Sequence, residues 1–305
     1  MPDKIINFMG LRKIAAALSI AFVVLSIGSL AVKGLNFGLD FTGGTLVEVV
    51  YEEAQSLDSV RSALSDAGYE QAIVVNFGAD TDVLVRLPQG LSPELGEQIL
   101  RVLEQSAGSA VELRRIEFVG PQVGEQLREQ GGLAILMALV VVLIYISMRF
   151  QLKFAFGAVV ALAHDVIIVL GIFSLFNFDF DLTVLGALLA VIGYSLNDTI
   201  VVSDRIRENF RKLRKQASID VINISLTETL ARTLVTSLTT LLVLLALLFA
   251  GGEMINGFAK ALTIGVVVGT YSSIYVAANF MLLLKLTKED LMIPEKEGEA
   301  IDDLP

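Results

Sequence analysis

Five ionisable residues lie inside otherwise apolar stretches: His164 and Asp165 in residues 154–176, Asp198 in 183–202, and Glu228 and Arg232 in 226–250. An ionisable group at the centre of a membrane helix costs about 2.5–3.5 kcal/mol on the insertion scale, so each is a functional candidate by default. The chemistry open to them is narrow. Burial disfavours the charged form of a carboxylate and a nearby cation favours it; a carboxylate held between the two can bind and release a proton. Counting along the apolar runs puts Asp198 about 4 residues and Arg232 about 6 residues from the same edge, roughly 3 Å apart in depth at 1.5 Å per residue. A guanidinium on its long stem covers that gap, so the spacing predicts an Asp198–Arg232 pair. Asn197, His164, Asp165 and Thr236 are the candidate supporting polar residues.

Each of these residues also has a structural reading. Arg232 could snorkel to the interface. Asp198 could be a plain hydrogen-bonding group, and His164 and Asp165 could satisfy each other. Thr229, Thr233, Thr236 and Thr240 form a polar stripe that is either interhelical glue or the wall of a water-filled path. Gly186, Ala190, Gly193 and Asn197 on one run, and Gly265, Gly269 and Ser272 on another, read as close-packing faces.

Helices must position these groups. Of the 305 residues 54% are hydrophobic, against about 45–50% in a soluble domain. Charged residues make up 18%, and the mean hydropathy is +0.69. A bilayer core needs about 20 apolar residues per helix. Six runs qualify, at residues 14–32, 133–148, 154–176, 183–202, 226–250 and 261–284. Ser29-Leu30-Ala31 resembles a signal-peptide cleavage site, but nineteen apolar residues exceed the about 7–15 of a signal core, which favours an uncleaved anchor. With no cysteine and one histidine, thiolate and multi-histidine metal sites are excluded. A net charge of −10 argues against nucleic acid as a partner. No cofactor and no enzymatic activity are expected.

The expected division is residues 1–33 as cytoplasmic start and first span, 34–132 as an extracytoplasmic domain, 133–285 as a five-helix bundle with a basic loop near 204–220, and 286–305 as an acidic cytoplasmic tail. Four of the short segments flanking the spans hold fourteen basic residues, and the opposite short loops hold only Lys260. By the positive-inside rule both termini are cytoplasmic.

The long loop has its own patterning. Val47, Val49 and Tyr51 alternate as on a strand. Leu57, Val60 and Leu64 recur at helical spacing between Ser56 as N-cap and Gly68 as stop. Short β-prone runs follow at 72–76 and 82–87. Ser92-Pro93 opens a second helix with Leu95, Ile99, Val102 and Leu103 inward, and Gly108 closes it. A final strand covers 111–119, with a phase slip near Arg114-Arg115 that predicts a bulge. The β-α-β-β-α-β order is the ferredoxin-like split unit. The expected fold class is therefore a polytopic α-helical membrane protein of six spans (1+5) with an α+β ferredoxin-like domain. The sixteen carboxylates of the loop are scattered and read as a solvated acidic surface.

Several stretches, in order along the chain, resemble one family. Gly38-Leu39-Asp40-Phe41-Thr42-Gly43-Gly44 opens the loop and Gly120-Pro121 closes it. Ala163-His164-Asp165-Val166 follows, then Gly193-Tyr194-Ser195-Leu196-Asn197-Asp198-Thr199 and Ala231-Arg232-Thr233. Together they resemble the SecF family of bacterial protein-export membrane proteins, in the separate rather than the fused form. The resemblance implies the architecture of resistance-nodulation-division transporters and a multi-pass location in the inner membrane. It implies pairing with SecD, association with the SecYEG channel, and use of the proton gradient to complete export of preproteins. It also implies proton passage by the residues at Asp198 and Arg232. Three rivals stand beside this reading: a passive translocase scaffold, a half-size exporter of the related transporter class, and an intramembrane aspartyl protease built on Asp165 and Asp198. The protease is disfavoured because the settings here are His-Asp and Asn-Asp.

Overall fold

The computed structural model describes residues 5–87, 94–213 and 215–286. Ser92-Pro93, Arg214 and the tail beyond residue 286 lie outside the described residues. A 3-10 turn, Phe8–Leu11, enters α1 (Arg12–Lys33). Then come β1 (Asn36–Phe37), the one-turn α2 (Leu39–Thr42), β2 (Gly44–Tyr51), α3 (Leu57–Asp66), β3 (Ile73–Phe77), β4 (Ala79–Leu87), α4 (Glu94–Ala107) and β5 (Val111–Val119). The rest is helical but for one short strand: α5 (Pro121–Arg149), α6 (Leu152–Leu175), β6 (Asp179–Phe180), α7 (Leu182–Lys212), α8 (Ser218–Ala250) and α9 (Glu253–Leu283). Six of the helices are long and apolar enough to cross a membrane, so the chain is a polytopic α-helical membrane protein.

The six are not equivalent. In the most apolar stretch of α6, 61% of residues are buried, and 44% in α7 and α9, against 11–17% in α1, α5 and α8. The first three therefore make the interior and the others surround it. Small residues let the interior helices approach. A Cβ placed on Gly265 of α9 would lie 2.1 Å from Val191 Cγ2 of α7, and one on Gly269 would lie 3.0 Å from Ser195 Cβ. Gly171 of α6 meets Ser26 of α1 in the same way. The expected close-packing face of α9 is thus in use. The face expected on α7 is not: Gly186, Ala190, Gly193 and Asn197 are all exposed, and Cβ atoms on the two glycines would touch nothing. Val184, Leu188, Val191, Ser195 and Asp198 take the inward side instead.

The α/β domain sits between α1 and α5. Its antiparallel sheet has the strand order β3-β4-β2-β5, and α3 and α4 cover one face. Val47, Val49 and Tyr51 alternate inward onto Leu64, Ile99 and Leu103. The Ser56 hydroxyl accepts the Ser59 amide and starts α3. Gly68 (φ +92°) and Gly108 (φ +66°) follow the two helices in the left-handed region glycine tolerates. Glu48 pairs with Arg115 and Val49 with Leu113, so Arg114 is the extra residue of a bulge. That frees Arg114 to reach Asp82 at 2.8 Å.

Pro121 opens α5 at its first turn, where its missing N–H is not needed. The helix then runs without a break through Gly131 and Gly132, so residues 121–132 belong to the helix that enters the bundle.

Gly44 and Gly132 behave oppositely. Gly44 has φ +127°, and a Cβ there would lie 2.2 Å from the Leu87 carbonyl oxygen. Gly132 is helical, and a Cβ there meets nothing. Gly44→Ala should destabilise the α/β domain by at least about 1–3 kcal/mol from backbone strain alone. Gly132→Ala should be neutral or gain up to about 1 kcal/mol. Thermal melts of the detergent-solubilised chain, with limited proteolysis of the α/β domain, check both.

Candidate functional site

Asp198 of α7 points into the bundle and is 9% exposed. Its Oδ1 accepts the Thr233 hydroxyl of α8 at 2.6 Å, and its Oδ2 accepts the Ser273 hydroxyl of α9. Three helices thus meet at one carboxylate. The sequence gives Thr233 only as part of a stripe and does not mark Ser273; the signal available was a hydroxyl at the depth of the acid on each neighbouring span.

A second acid lies in the same bundle. Asp165 of α6 is wholly buried. Its Oδ2 accepts Ser195 of α7 at 2.6 Å and Ser272 of α9 at 2.7 Å. Its Oδ1 meets His164 Nδ1 at 2.9 Å. The imidazole stacks on Tyr271, and its Nε2 is buried without a partner among the described residues.

The expected Asp198–Arg232 pair is not formed. Arg232 is exposed, and among the described residues its guanidinium makes no ion pair or hydrogen bond. Thr229, Thr233 and Ser237, four residues apart, define the inward face of α8. Residue 232 is about 100° away from residue 233 on a helix, so similar depth did not bring the guanidinium inward. The threonine stripe divides accordingly: Thr236 is exposed and back-bonds to the Arg232 and Thr233 carbonyls. Asn197 also faces out of the bundle.

A charged knot closes the end remote from the α/β domain. Arg205 of α7 donates to Glu228 of α8 at 2.7 Å and also pairs with Glu208. Asn209 donates to the same Glu228 oxygen at 2.7 Å. Glu228, inside the fifth apolar run, is therefore satisfied across the α7–α8 junction.

The other end is built from the glycine-rich segment. Asp40 of α2 accepts the Leu182 amide at 3.0 Å, while Asp181 accepts Val184 N at 2.8 Å, so two carboxylates cap α7. The Gly38 amide donates to Phe180 O at 2.8 Å, and β1 pairs in parallel with β6. Phe41 stacks on Phe180 with 5.7 Å between ring centroids. Gly43 (φ +70°) brings its backbone against Pro121, and a Cβ on Gly124 would lie 2.9 Å from Gly43 N. Gly120 is extended just before the helix. Gly38, Asp40, Phe41, Gly43, Gly44, Gly120 and Pro121 thus form one clasp joining the α/β domain to α5 and α7. Sequence alone marks these residues as a motif, and the β1–β6 pairing carries no sequence signal beyond two aromatic residues.

No group of three or more metal-ligating side chains occurs among the described residues. Two buried carboxylates, each held by hydroxyls of neighbouring helices, tie the local charge to the packing of α6, α7, α8 and α9.

The two arginines should separate by stability. Arg205→Ala leaves Glu228 with Asn209 alone and should lower stability by about 1 kcal/mol. Arg232→Ala should stay within about 0.5 kcal/mol of the parent chain. Melting of the two purified variants distinguishes them.

The model of the SecD/SecF C-terminal region of protein export membrane proteins matches residues 99–287, and the SecD/SecF GG motif matches residues 28–55. The protein translocase subunit SecF of Pseudomonas aeruginosa is 54% identical over 98% of this chain and 98% of its own length. That of Vibrio alginolyticus is 54% identical over 99% and 98%. Among solved structures, SecDF of Thermus thermophilus, a translocon-associated membrane protein, superposes with a TM-score of 0.84 at 40% identity. A SecDF described as the super-membrane-facing form gives 0.70 at 38%. Both alignments cover 93% of this chain but 39% of the longer SecDF chain. The chain belongs to the SecD/SecF family of protein-export membrane proteins.

Proposed function

We propose that this chain is a SecF-type subunit of the Sec protein-export machinery, pairing with SecD in the bacterial inner membrane. It works beside the SecYEG channel, where the proton gradient drives a late stage of preprotein translocation. Asp198 is the proton-binding residue, and Arg232, which does not pair with it, contributes to proton passage from the outward face of α8. One observation carries this reading: Asp198 sits between three helices, on the same helix whose far end is capped by Asp40 of the clasp. Protonation turns the charge-assisted hydrogen bonds between Asp198 and the Thr233 and Ser273 hydroxyls into weaker neutral ones. The α7 helix then repositions against α8 and α9, and the α/β domain, clasped to α7, moves with it. One charge crossing the membrane potential is worth about 2.3 kcal/mol per 100 mV, enough to bias such an equilibrium more than tenfold.

The exposed small face of α7, Gly186 to Asn197, and the exposed Arg232 of α8 support the pairing. A charged group turned toward hydrocarbon is costly, and small residues invite a second helix to pack. The longer SecDF relatives carry additional chain beyond the part matched here. The scaffold reading uses the same contacts but gives Asp198 no proton.

Asp198→Asn and Arg232→Ala should each abolish gradient-dependent stimulation of export in vesicles containing SecD and SecYEG, with normal protein levels. Asp198→Glu should retain part of it. Undiminished stimulation in Asp198→Asn would establish the scaffold instead.

The orientation is tested separately, since the chain has no cysteine. A cysteine at Ser56 should react with an impermeant thiol reagent in spheroplasts, and one at Ser218 should be protected. The reverse pattern inverts the topology.

A further inference from the structure

Once Asp198 is assigned, one buried acid remains without a task. We propose that Asp165 is a second proton-binding carboxylate of the bundle, coupled to Asp198 through the adjacent hydroxyls of Ser272 and Ser273. The inference rests on the reading of Asp198 as a proton-binding residue.

The first argument is connectivity. Ser272 and Ser273 are consecutive on α9 and donate to different acids, Ser272 to Asp165 and Ser273 to Asp198. Ser195, three residues before Asp198 on α7, also donates to Asp165. Any shift of α7 against α9 that alters one carboxylate's hydrogen bonds alters the other's.

The second argument is that both charge states can be satisfied. Each α9 serine has an alternative acceptor on its own helix: Gly269 O at 3.1 Å for Ser272, and Thr270 O at 3.0 Å for Ser273. With the acid ionised, the serine O–H points at the carboxylate. When the acid takes a proton, the serine O–H rotates to its own carbonyl and its oxygen accepts the new carboxyl O–H. No donor is lost and no acceptor is stranded, so neutralisation carries no unmade hydrogen bond.

The third argument is the surrounding charge. His164 Nδ1 meets Asp165 Oδ1 at 2.9 Å, and its Nε2 is buried without a partner among the described residues. From α9, Tyr271 stacks on the imidazole and donates to Ala15 O, and Tyr275 packs on Tyr271. From α7 come Asp198 and Tyr194, the latter turned to Ser237. The described charges of α1 lie only at its ends, at Arg12, Lys13 and Lys33, and the apolar part of α5 offers an exposed Tyr145. Among the described residues no lysine or arginine reaches Asp165, and its partners are two hydroxyls and the His164 ring.

Infrared difference spectroscopy of the full chain in lipid nanodiscs, titrated with acid, tests this without reference to export. Two protonated-carboxyl bands should appear, one lost in Asp165→Asn and one in Asp198→Asn. Asp198→Asn should move the pH at which the Asp165 band appears by about one unit or more, the signature of coupled sites. Ser272→Ala and Ser273→Ala, which keep helix packing, should shrink that displacement, and they serve if Asp165→Asn does not fold. An Asp198 band with no Asp165 band, or an Asp165 band indifferent to Asp198→Asn, overturns the inference and leaves the proposed function standing. No band for either acid overturns both.

Discussion

Two carboxylates share the interior of a membrane bundle and, among the described residues, neither has a lysine or arginine beside it. Hydroxyls must therefore do the work of charge compensation, and hydroxyls act only at hydrogen-bond distance. That requirement sets the helix spacing. Gly265 and Gly269 let α9 lie against α7 where any side chain would collide with Val191 or Ser195. Only at that separation do Ser272 and Ser273 reach the two acids. Small residues and short polar groups are thus one device: the first permits the approach and the second makes it satisfy buried charge.

The clasp follows the same economy of space. Gly43, Gly44 and Gly124 bring backbone onto backbone, so that Asp40 and Phe41 meet the α6–α7 connection. The joint is made of two capping carboxylates, a two-residue parallel pairing and stacked rings. Leu39 adds an apolar contact beneath Leu46 and Leu84 of the sheet. The α/β domain is therefore fastened to the bundle by its second sheet face as well as through the chain on either side of it.

Much of this was legible in the sequence. The six spans follow from hydropathy, because lipid leaves a helix few alternatives. The strands and helices of the α/β domain follow from period and caps, and the bulge at Arg114 from a slipped alternation. Facing was harder. Depth along a span is linear in residue number, but azimuth depends on which side the neighbours occupy. Asp198 and Arg232 were matched in depth, yet Thr233 takes the inward position. The same ambiguity left open which neighbour the small-residue face of α7 meets, and it lies outside the bundle. The Arg205–Glu228 contact carries no sequence signal, since nothing local announces a pairing between different helices.

The α7 helix contains no proline and runs unbroken from the clasp through Asp198 to the Arg205–Glu228 knot. From Leu182 to Asp198 is 16 residues, about 24 Å at 1.5 Å per residue. Such a rod transmits rotation as well as translation, so its two ends share a phase. Adding or removing one residue between them would turn the carboxylate about 100° relative to the capped end, taking it from the hydroxyls to the lipid. Loops in this chain can change length at little cost; this stretch can change only by amounts that restore the angle, and the count between cap and carboxylate is as much a part of the site as the residues themselves.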